Sequence, residues 1–305
     1  MEVNVRSKTG TKKSEIKLPS QFSEEIRPDL IKRAVLTVQN NRRQPYGADP
    51  KAGAKYSSKL SRRRRDYKGA YGMGISRVPR KIMSHRGTRF NWMGATAPNT
   101  VGGRQAHPPK AEKNLGRKLN KKERRKAIRS AMSATVIKEL VQSRGHIFEE
   151  YPIVLETDVE SLKKTREVIE MLNKLGLSKE LERSSRKTQK TGRARRRGRK
   201  YKKAIGPLFV VSKKCELMDS ASNIPGVEVV EVNSLNAELL APGCDLARLT
   251  IYTKESIEKI EKEQLFTDEI KLEKPIKKEI KKTPKKQKEI KPKKTITKKT
   301  GVKKW

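Results

Sequence analysis

Positive charge in this 305-residue chain is concentrated in three segments, and this uneven distribution limits how much of the chain can fold on its own. Residues 42–110 carry 17 basic and 2 acidic side chains, residues 183–203 carry 12 and none, and residues 271–305 carry 16 and 3. Together these segments hold +40 of the formal net charge of +41. Segments of one charge sign repel themselves and favour contact with a polyanion. We therefore expect a nearly neutral body with three cationic extensions.

The body, residues 1–41 and 111–270, is predicted to be one α/β domain. Short β-branched runs of strand length alternate with amphipathic helical patterns, which favours a mostly parallel sheet with flanking helices. Hydrophobic residues make up 33% of the chain, enough for one core of ordinary size. The predicted strands are residues 152–157, 206–212, 227–232 and 248–253. The predicted helices are residues 28–39, 120–145, 161–175 and 255–263, the second opening on a capping box formed by Asn120 and Glu123.

Residues 42–110 are predicted to form one long extended loop inserted into this domain. Seven glycines and four prolines lie between residues 69 and 109, so regular secondary structure is not expected there. Loops of this length in compact domains usually have a binding role. The glycines at 69, 72 and 74 could suggest a phosphate-binding turn of an enzyme, but four arginines precede them instead of a strand and no helix follows.

An RNA-binding role explains the insertion better. Glycine lets backbone amides approach phosphates, arginine binds phosphate in a bidentate manner, and Tyr71, Phe90 and Trp92 offer flat faces for unpaired bases. The alternative is a solvated loop without a partner. Residues 183–203 are interpreted as a second basic RNA-binding loop within the domain, with a solvated charge run as the alternative. Residues 271–305 form a lysine-rich, low-complexity tail, expected to be disordered and to add nonspecific affinity.

Catalytic, metal-binding and membrane-spanning patterns are not apparent in the sequence. The two cysteines, Cys215 and Cys244, are too few for a disulfide framework and match no zinc spacing. Of the three histidines, His146 follows a predicted helix end at Gly145 and is expected to cap that helix. No apolar run reaches the length of a membrane span, and the first ten residues lack the apolar core of a signal peptide. We expect a soluble, non-secreted, non-enzymatic protein without a cofactor, metal or small-molecule substrate.

Several motifs resemble one known family. The stretch TVGGRQAHPPKAEKNLGRKLNKKERRKAIRSAMSATV at residues 100–136, followed by SRGH at 143–146, is similar to the archaeal and eukaryotic form of the large-subunit ribosomal protein "L-four" family. Further matching stretches occur in the same order and together extend from about residue 2 to residue 263. They are GAYGMGISRVPR at 69–80, TGRARRRGRKYKK at 191–203, NIPGVEVVEVNSLNAELLAPG at 223–243 and ARLTIYTKESI at 247–257.

This resemblance implies a structural protein that binds large-subunit ribosomal RNA and supports subunit assembly. It also implies that the long loop lines the nascent-peptide exit tunnel beside the tunnel protein "L-twenty-two". Carried over by position, residues 72–80 and 101–109 would be the two arms of the loop and residues 81–100 its tip. The sequence HPPKAEK is more similar to archaeal members than to eukaryotic ones. The resemblance implies a cytoplasmic location in the ribosome, and a eukaryotic member would also pass through the nucleolus. Cys244 departs from the family, which usually has a second glycine there.

The candidate functional residues follow from these segments. The residues expected nearest the tunnel are Arg86, Arg89, Phe90, Trp92 and Met93. The residues expected to bind RNA are Arg62, Arg63, Arg64, Arg65, Lys68, Arg77, Arg80, Lys81, Arg104, His107, Lys110, Arg193, Arg195, Arg196, Arg197, Arg199, Lys200, Lys202 and Lys203. Two alternatives stay open: a DNA-compacting protein that uses its basic loops and lysine-rich tail, and a nucleotide-dependent enzyme built on the α/β domain.

Overall fold

The main sheet of the protein has six strands, five of them parallel. The computed structural model describes residues 1–268, so the predicted tail at 271–305 lies outside the described residues. The strands, in chain order, are β1 (Glu2–Arg6), β2 (Lys12–Lys17), β3 (Arg80–Arg86), β4 (Arg89–Gly94), β5 (Ile153–Leu155), β6 (Lys187–Gln189), β7 (Tyr201–Lys203), β8 (Leu208–Val211), β9 (Glu228–Glu231) and β10 (Thr250–Thr253). The order in the main sheet is β2-β1-β5-β10-β8-β9, and only β2 is antiparallel to its neighbour.

Helices cover both faces of this sheet. They are α1 (Pro28–Asn41), α2 (Lys121–Ala134), α3 (Lys138–Ser143), α4 (Thr165–Lys174), α5 (Ser178–Ser185), α6 (Gly192–Arg196), α7 (Glu216–Ser222), α8 (Ala237–Leu240) and α9 (Lys254–Lys262). Short 3₁₀ helices lie at Ser20–Phe22, Thr157–Ser161, Val232–Ser234 and Pro242–Cys244. The α/β class and the four predicted sheet strands are confirmed.

The central strands are buried on both faces, as expected for parallel strands between helical layers. Every residue of β5, β8 and β10 is buried. Because side chains alternate along a strand, Val154, Val210 and Tyr252 join one apolar cluster, which includes residues of α1, α2 and α9. Phe209 and Ile251 join a second cluster on the opposite face, which includes residues of α4 and α7.

The antiparallel pair β1–β2 at one edge was not predicted from the sequence. β2 has the sequence KKSEIK, and most of its residues are exposed, so it lacks the alternation of a half-buried strand. Its place is set by pairing with β1, for example Val3 with Ile16, while Val3 and Val5 point into the core. A polar, lysine-containing edge strand of this kind also discourages edge-to-edge association.

The single helix predicted for residues 120–145 is wrong, because the chain forms α2 and α3 with a break between them. Thr135 ends α2, and its buried hydroxyl donates to the carbonyl oxygen of Met132 at 2.7 Å and lies 3.2 Å from the hydroxyl of Tyr252. The predicted capping box does not form either. The side chain of Asn120 makes no capping bond, and Glu123 pairs instead with Arg33 on α1. The helix predicted for residues 161–175 begins later, at α4, after the 3₁₀ helix that starts at Thr157.

Candidate nucleic-acid interface

Residues 42–110, here called the arm, leave and re-enter the body at one narrow neck. At the neck, the amide of Ala48 donates to the carbonyl oxygen of Pro109 at 2.9 Å. A Cβ atom at Gly47 would lie 2.6 Å from the amide nitrogen of Ala111, so only glycine permits this approach. The end of α1 holds the returning chain, because Asn40 donates to the carbonyl oxygen of Leu115.

Beyond the neck, the outgoing and returning chains stay close together. The backbones of Gly53 and Arg104 approach closely, and the hydroxyls of Ser58 and Thr96 lie 2.8 Å apart. Gly103 and Arg104 therefore lie against the outgoing chain near Gly53, whereas the sequence suggests residues 72–80 as the segment opposite residues 101–109. Residues 61–79 form turns and irregular chain, with one bridge between Ser61 and Gly69.

The expectation that the arm has no regular structure is wrong, because β3 and β4 form a hairpin within it. The pairs Arg80–Gly94, Ile82–Trp92 and Arg86–Arg89 define its register. Glycine and proline dominate the flanks, but the 15 residues from Arg80 to Gly94 contain two glycines and no proline after the start of β3, so a ladder can form. The hairpin occupies most of the predicted tip at 81–100.

The two faces of this hairpin differ in exposure and chemistry. Phe90 and Trp92 are half-buried, with ring centroids 5.2 Å apart, and Phe90 also lies 5.2 Å from the ring of Tyr67. Arg89 and Met93 alternate with them and are exposed. Of the predicted tunnel-lining residues, Arg86, Arg89 and Met93 are thus accessible, whereas Phe90 and Trp92 pack within the arm.

The cations of the arm differ in their contacts: some lie over aromatic rings, Arg42 and Lys55 form ion pairs, and others contact no acidic side chain or ring of residues 1–268. Lys68, Arg77 and Lys81 lie over the rings of Tyr67, Tyr71 and Tyr56, the last at 3.9 Å. Arg80 is buried and stays within the arm. Its guanidinium donates to the carbonyl oxygen of Ser76 at 2.6 Å and lies over the ring of Trp92. The exposed candidates in the arm are Arg62, Arg63, Arg64, Arg65, Arg77, Arg104, His107 and Lys110.

The second basic segment consists of two short strands with a short helix between them in the chain. Antiparallel β6 and β7 pair from Lys187–Lys203 to Gln189–Tyr201, and the short helix α6 lies between them. All its candidate cations are exposed: Arg193, Arg195, Arg196, Arg197, Arg199, Lys200, Lys202 and Lys203. No acidic side chain occurs in this segment, so these charges lack local counterions.

Arg183, the first residue of the same segment, belongs to the body instead. It lies on α5 and donates to both carboxylate oxygens of Glu180, at 2.6 and 2.8 Å. His146 also contacts Glu180, with its Nδ1 2.6 Å from Oε1, and is buried. The expectation that His146 caps a helix end is therefore corrected. Burial lowers the pKa of His146, and the contact with Glu180 only partly offsets this effect.

Within residues 1–268, the side chains form no group that could hold a metal ion. None of the helices in that range has the length and apolar character needed to cross a bilayer. Buried polar groups there serve the fold. The carboxylate of Glu160, for example, accepts hydrogen bonds from Ser212 and Thr253 at the ends of β8 and β10.

A near-neutral α/β body with cationic extensions is typical of proteins that assemble with nucleic acid. Comparison with known proteins shows which family of such proteins the chain resembles. The model of the "Ribosomal protein L4/L1 family" matches residues 16–263. The chain belongs to this family. Its members are structural proteins of the ribosome, which agrees with the expectation that the chain is not an enzyme.

Three archaeal relatives, each named "Large ribosomal subunit protein uL4", illustrate the similarity. The protein of Nanoarchaeum equitans is 47% identical over 268 residues, which cover 87% of this chain and 100% of the relative. That of Archaeoglobus fulgidus is 44% identical, covering 85% and 97%. That of Halobacterium salinarum is 41% identical, covering 85% and 99%. The resemblance recognised in the sequence is confirmed.

Proposed function

We propose that this protein is a structural constituent of the large ribosomal subunit and binds large-subunit ribosomal RNA through the arm and the second basic segment. In the same proposal it supports subunit assembly and acts in the cytoplasm as part of the ribosome. The relatives described above are archaeal, so nucleolar transit is not included.

One observation supports the proposal that the protein binds ribosomal RNA. The exposed cations are separated from the acidic side chains of the body, and arginines 193 and 195–197 project from a compact unit with no acidic residue. A folded body leaves such a cluster unneutralised only at a cost in self-repulsion, which contact with phosphates relieves. Family membership makes ribosomal RNA the natural source of those phosphates.

The RNA-binding part is tested by neutralising three of these arginines. In the triple variant Arg195→Gln, Arg196→Gln and Arg197→Gln, the slope of log affinity against log salt for large-subunit RNA should fall by about 2 to 3. Folding should be unaffected, because all three side chains are exposed. The matched control neutralises Lys163 and Arg166, which pair with acidic residues of the body. An unchanged salt slope in the triple variant would refute this role.

We further propose that the hairpin β3–β4 lines the nascent-peptide exit tunnel and that the tunnel protein "L-twenty-two" is its neighbour. The support is the length of the arm, which spans residues 42–110, and the exposed side chains Arg86, Arg89 and Met93 of its hairpin. In ribosomes carrying Met93→Cys, a thiol-reactive crosslinker should join this position to a stalled nascent chain. Val101→Cys, fully exposed near the stem, is the matched control and should react much less. Equal crosslinking at both positions would contradict tunnel lining.

A further inference from the structure

An open groove of about 790 Å³ lies at the neck of the arm, outside the clusters of free arginines. Its walls include Tyr46 from the outgoing chain and residues 106–115 from the returning chain. Sites for small organic molecules usually measure about 300–1,000 Å³, so the groove has room for a nucleoside.

The groove is held in place by the body. The bond from Ala48 to Pro109 fixes its two sides, and the amide of Lys113 donates to the carbonyl oxygen of Lys110 at 3.2 Å. The end of α1 adds a second attachment, because Asn41 accepts from the amide of Arg117 at 2.8 Å. A ligand in this groove would therefore meet a preformed surface and not a free loop.

Tyr46 differs from the other exposed tyrosines. The rings of Tyr56, Tyr67, Tyr71 and Tyr201 each lie under a lysine or arginine. Among the described residues, Tyr46 has neither a cation nor another aromatic ring against its face, although it is 59% exposed. Tyr46 lines the groove together with His107, Pro108 and Pro109.

The polar groups around the groove suit one kind of occupant. Lys110 and Lys113 supply positive charge at the rim, where a backbone phosphate could lie. Glu112 also lines the groove, and within residues 1–268 it forms no ion pair, whereas Asp49 in the arm is paired with Lys55. A free carboxylate among lysines is an acceptor for the amino group of a base, as in carboxylate recognition of cytosine.

We propose that this groove takes a single unpaired nucleobase, stacked on Tyr46 beside His107 and the two prolines, with Glu112 accepting from its exocyclic amino group. The flanking phosphates contact Lys110 and Lys113. The inference rests on the proposed RNA-binding function and adds to it a base-specific contact that selects adenine, cytosine or guanine over uracil.

The test uses the full-length protein and oligo-A, oligo-C and oligo-U of equal length, at a salt concentration that suppresses purely ionic contacts. Wild type should bind oligo-A and oligo-C about fivefold more tightly than oligo-U. Tyr46→Ala should weaken binding of oligo-C about tenfold, since stacking on an aromatic side chain is lost. Tyr46→Phe should stay within about twofold of wild type, because the flat face is kept.

Two further variants separate the base contact from general effects. Glu112→Gln should bind oligo-U and oligo-C equally, because the amide oxygen can still accept from the amino group of cytosine while the amide NH2 can donate to O4 of uracil. Tyr56→Ala removes another exposed tyrosine of the arm, one covered by Lys81, and should leave affinity within about twofold. Ultraviolet crosslinking followed by peptide mapping should place the RNA on the peptide that contains Tyr46 or His107.

The outcomes distinguish this inference from the function on which it rests. Crosslinks at residues 193–203 but none at the groove, with Tyr46→Ala unchanged, would overturn the inference and leave RNA binding intact. Failure to bind or crosslink RNA anywhere in the chain would refute the proposed function itself. Equal effects of Tyr46→Ala and Tyr56→Ala would also overturn the inference, because the groove would then have no special role.

Discussion

Nδ1 of His146 lies 2.6 Å from Oε1 of Glu180, and both side chains are buried. The carboxylate of Glu180 also accepts from the amide of Ile147 at 3.1 Å and from the guanidinium of Arg183. These bonds join the chain that follows α3 to α5, 34 positions later. A buried carboxylate with this many donors is stabilised in its ionised form.

This cluster should make the stability of the body depend on pH. Burial lowers the pKa of His146 below its ordinary 6.5, because it outweighs the attraction of Glu180. Burial alone would raise the pKa of Glu180, but the bonds from Arg183 and His146 outweigh it and lower the pKa. At both groups the folded state binds fewer protons than the unfolded chain. The free energy of unfolding should therefore be highest above pH 6.5 and decrease as the pH falls, first through His146 and then through Glu180.

Urea unfolding between about pH 7.5 and pH 5.5 checks the contribution of the histidine. In His146→Gln the decrease over this interval should be smaller than in wild type. His107→Gln is the matched control, since that side chain is exposed and should leave the decrease unchanged. The same pH dependence in wild type and His146→Gln would contradict the assignment.

Arg248→Ala should destabilise the body by about 3 kcal/mol. The Arg248 side chain is 1% exposed, pairs with Glu228 at 2.6 Å and donates to the carbonyl oxygen of Gly206 at 2.8 Å. Its removal leaves a cavity and buried acceptors without donors. Urea unfolding measures the loss. As control, Arg166→Ala breaks an exposed pair with Glu170 and should lower the free energy of unfolding by less than about 0.5 kcal/mol. Similar losses in both variants would contradict the stabilising role of the buried Arg248.

Cys244→Gly should be at least as stable as wild type, whereas Cys244→Ala should be less stable than Cys244→Gly by about 1 kcal/mol. Cys244 has a φ of 72° and follows Gly243, with a φ of 76°. The left-handed region favours glycine, so a side chain at 244 strains this turn. Thermal unfolding of wild type, Cys244→Gly and Cys244→Ala measures the order of their stabilities. A Cys244→Ala variant more stable than Cys244→Gly would show that the turn is not strained.

Replacing residues 81–100 by a short Gly–Ser linker should leave the free energy of unfolding of the body within about 0.5 kcal/mol of wild type. Neither of the two apolar clusters found in residues 1–268 includes a residue of the arm. The buried Ala95 donates its amide to the carbonyl oxygen of Pro79, which also belongs to the arm. Urea unfolding followed by far-ultraviolet circular dichroism measures the difference. A large destabilisation would mean that the arm is part of the core.

The sequence predicted the elements whose stability comes from burial. Residues 208–211 (LFVV) and 250–253 (TIYT) are rich in β-branched and aromatic residues, a composition that favours strands. The helix at α9 was equally clear from its periodicity. The break after Thr135 was not, because it depends on a contact with Tyr252, which is 117 positions away.

The candidate interface was predictable as segments but not as individual side chains. Charge counts identified residues 62–65 and 193–203 without knowledge of the fold. They did not reveal that Arg80 is buried over Trp92 or that Arg183 is bound to Glu180. The hairpin β3–β4 was missed because glycines and prolines were counted over residues 69–109 as a whole, and the stretch from Arg80 to Gly94 has no proline.

The narrow neck has a consequence for how this architecture can change. Because Ala48 and Pro109 already hold the two ends of the arm together, added residues increase only the entropy cost of a longer closed loop, about 0.6 kcal/mol for each doubling of length. Insertions and deletions beyond the neck are therefore nearly neutral for the sheet. Evolution can therefore lengthen or shorten the arm while the strands of the body keep their register.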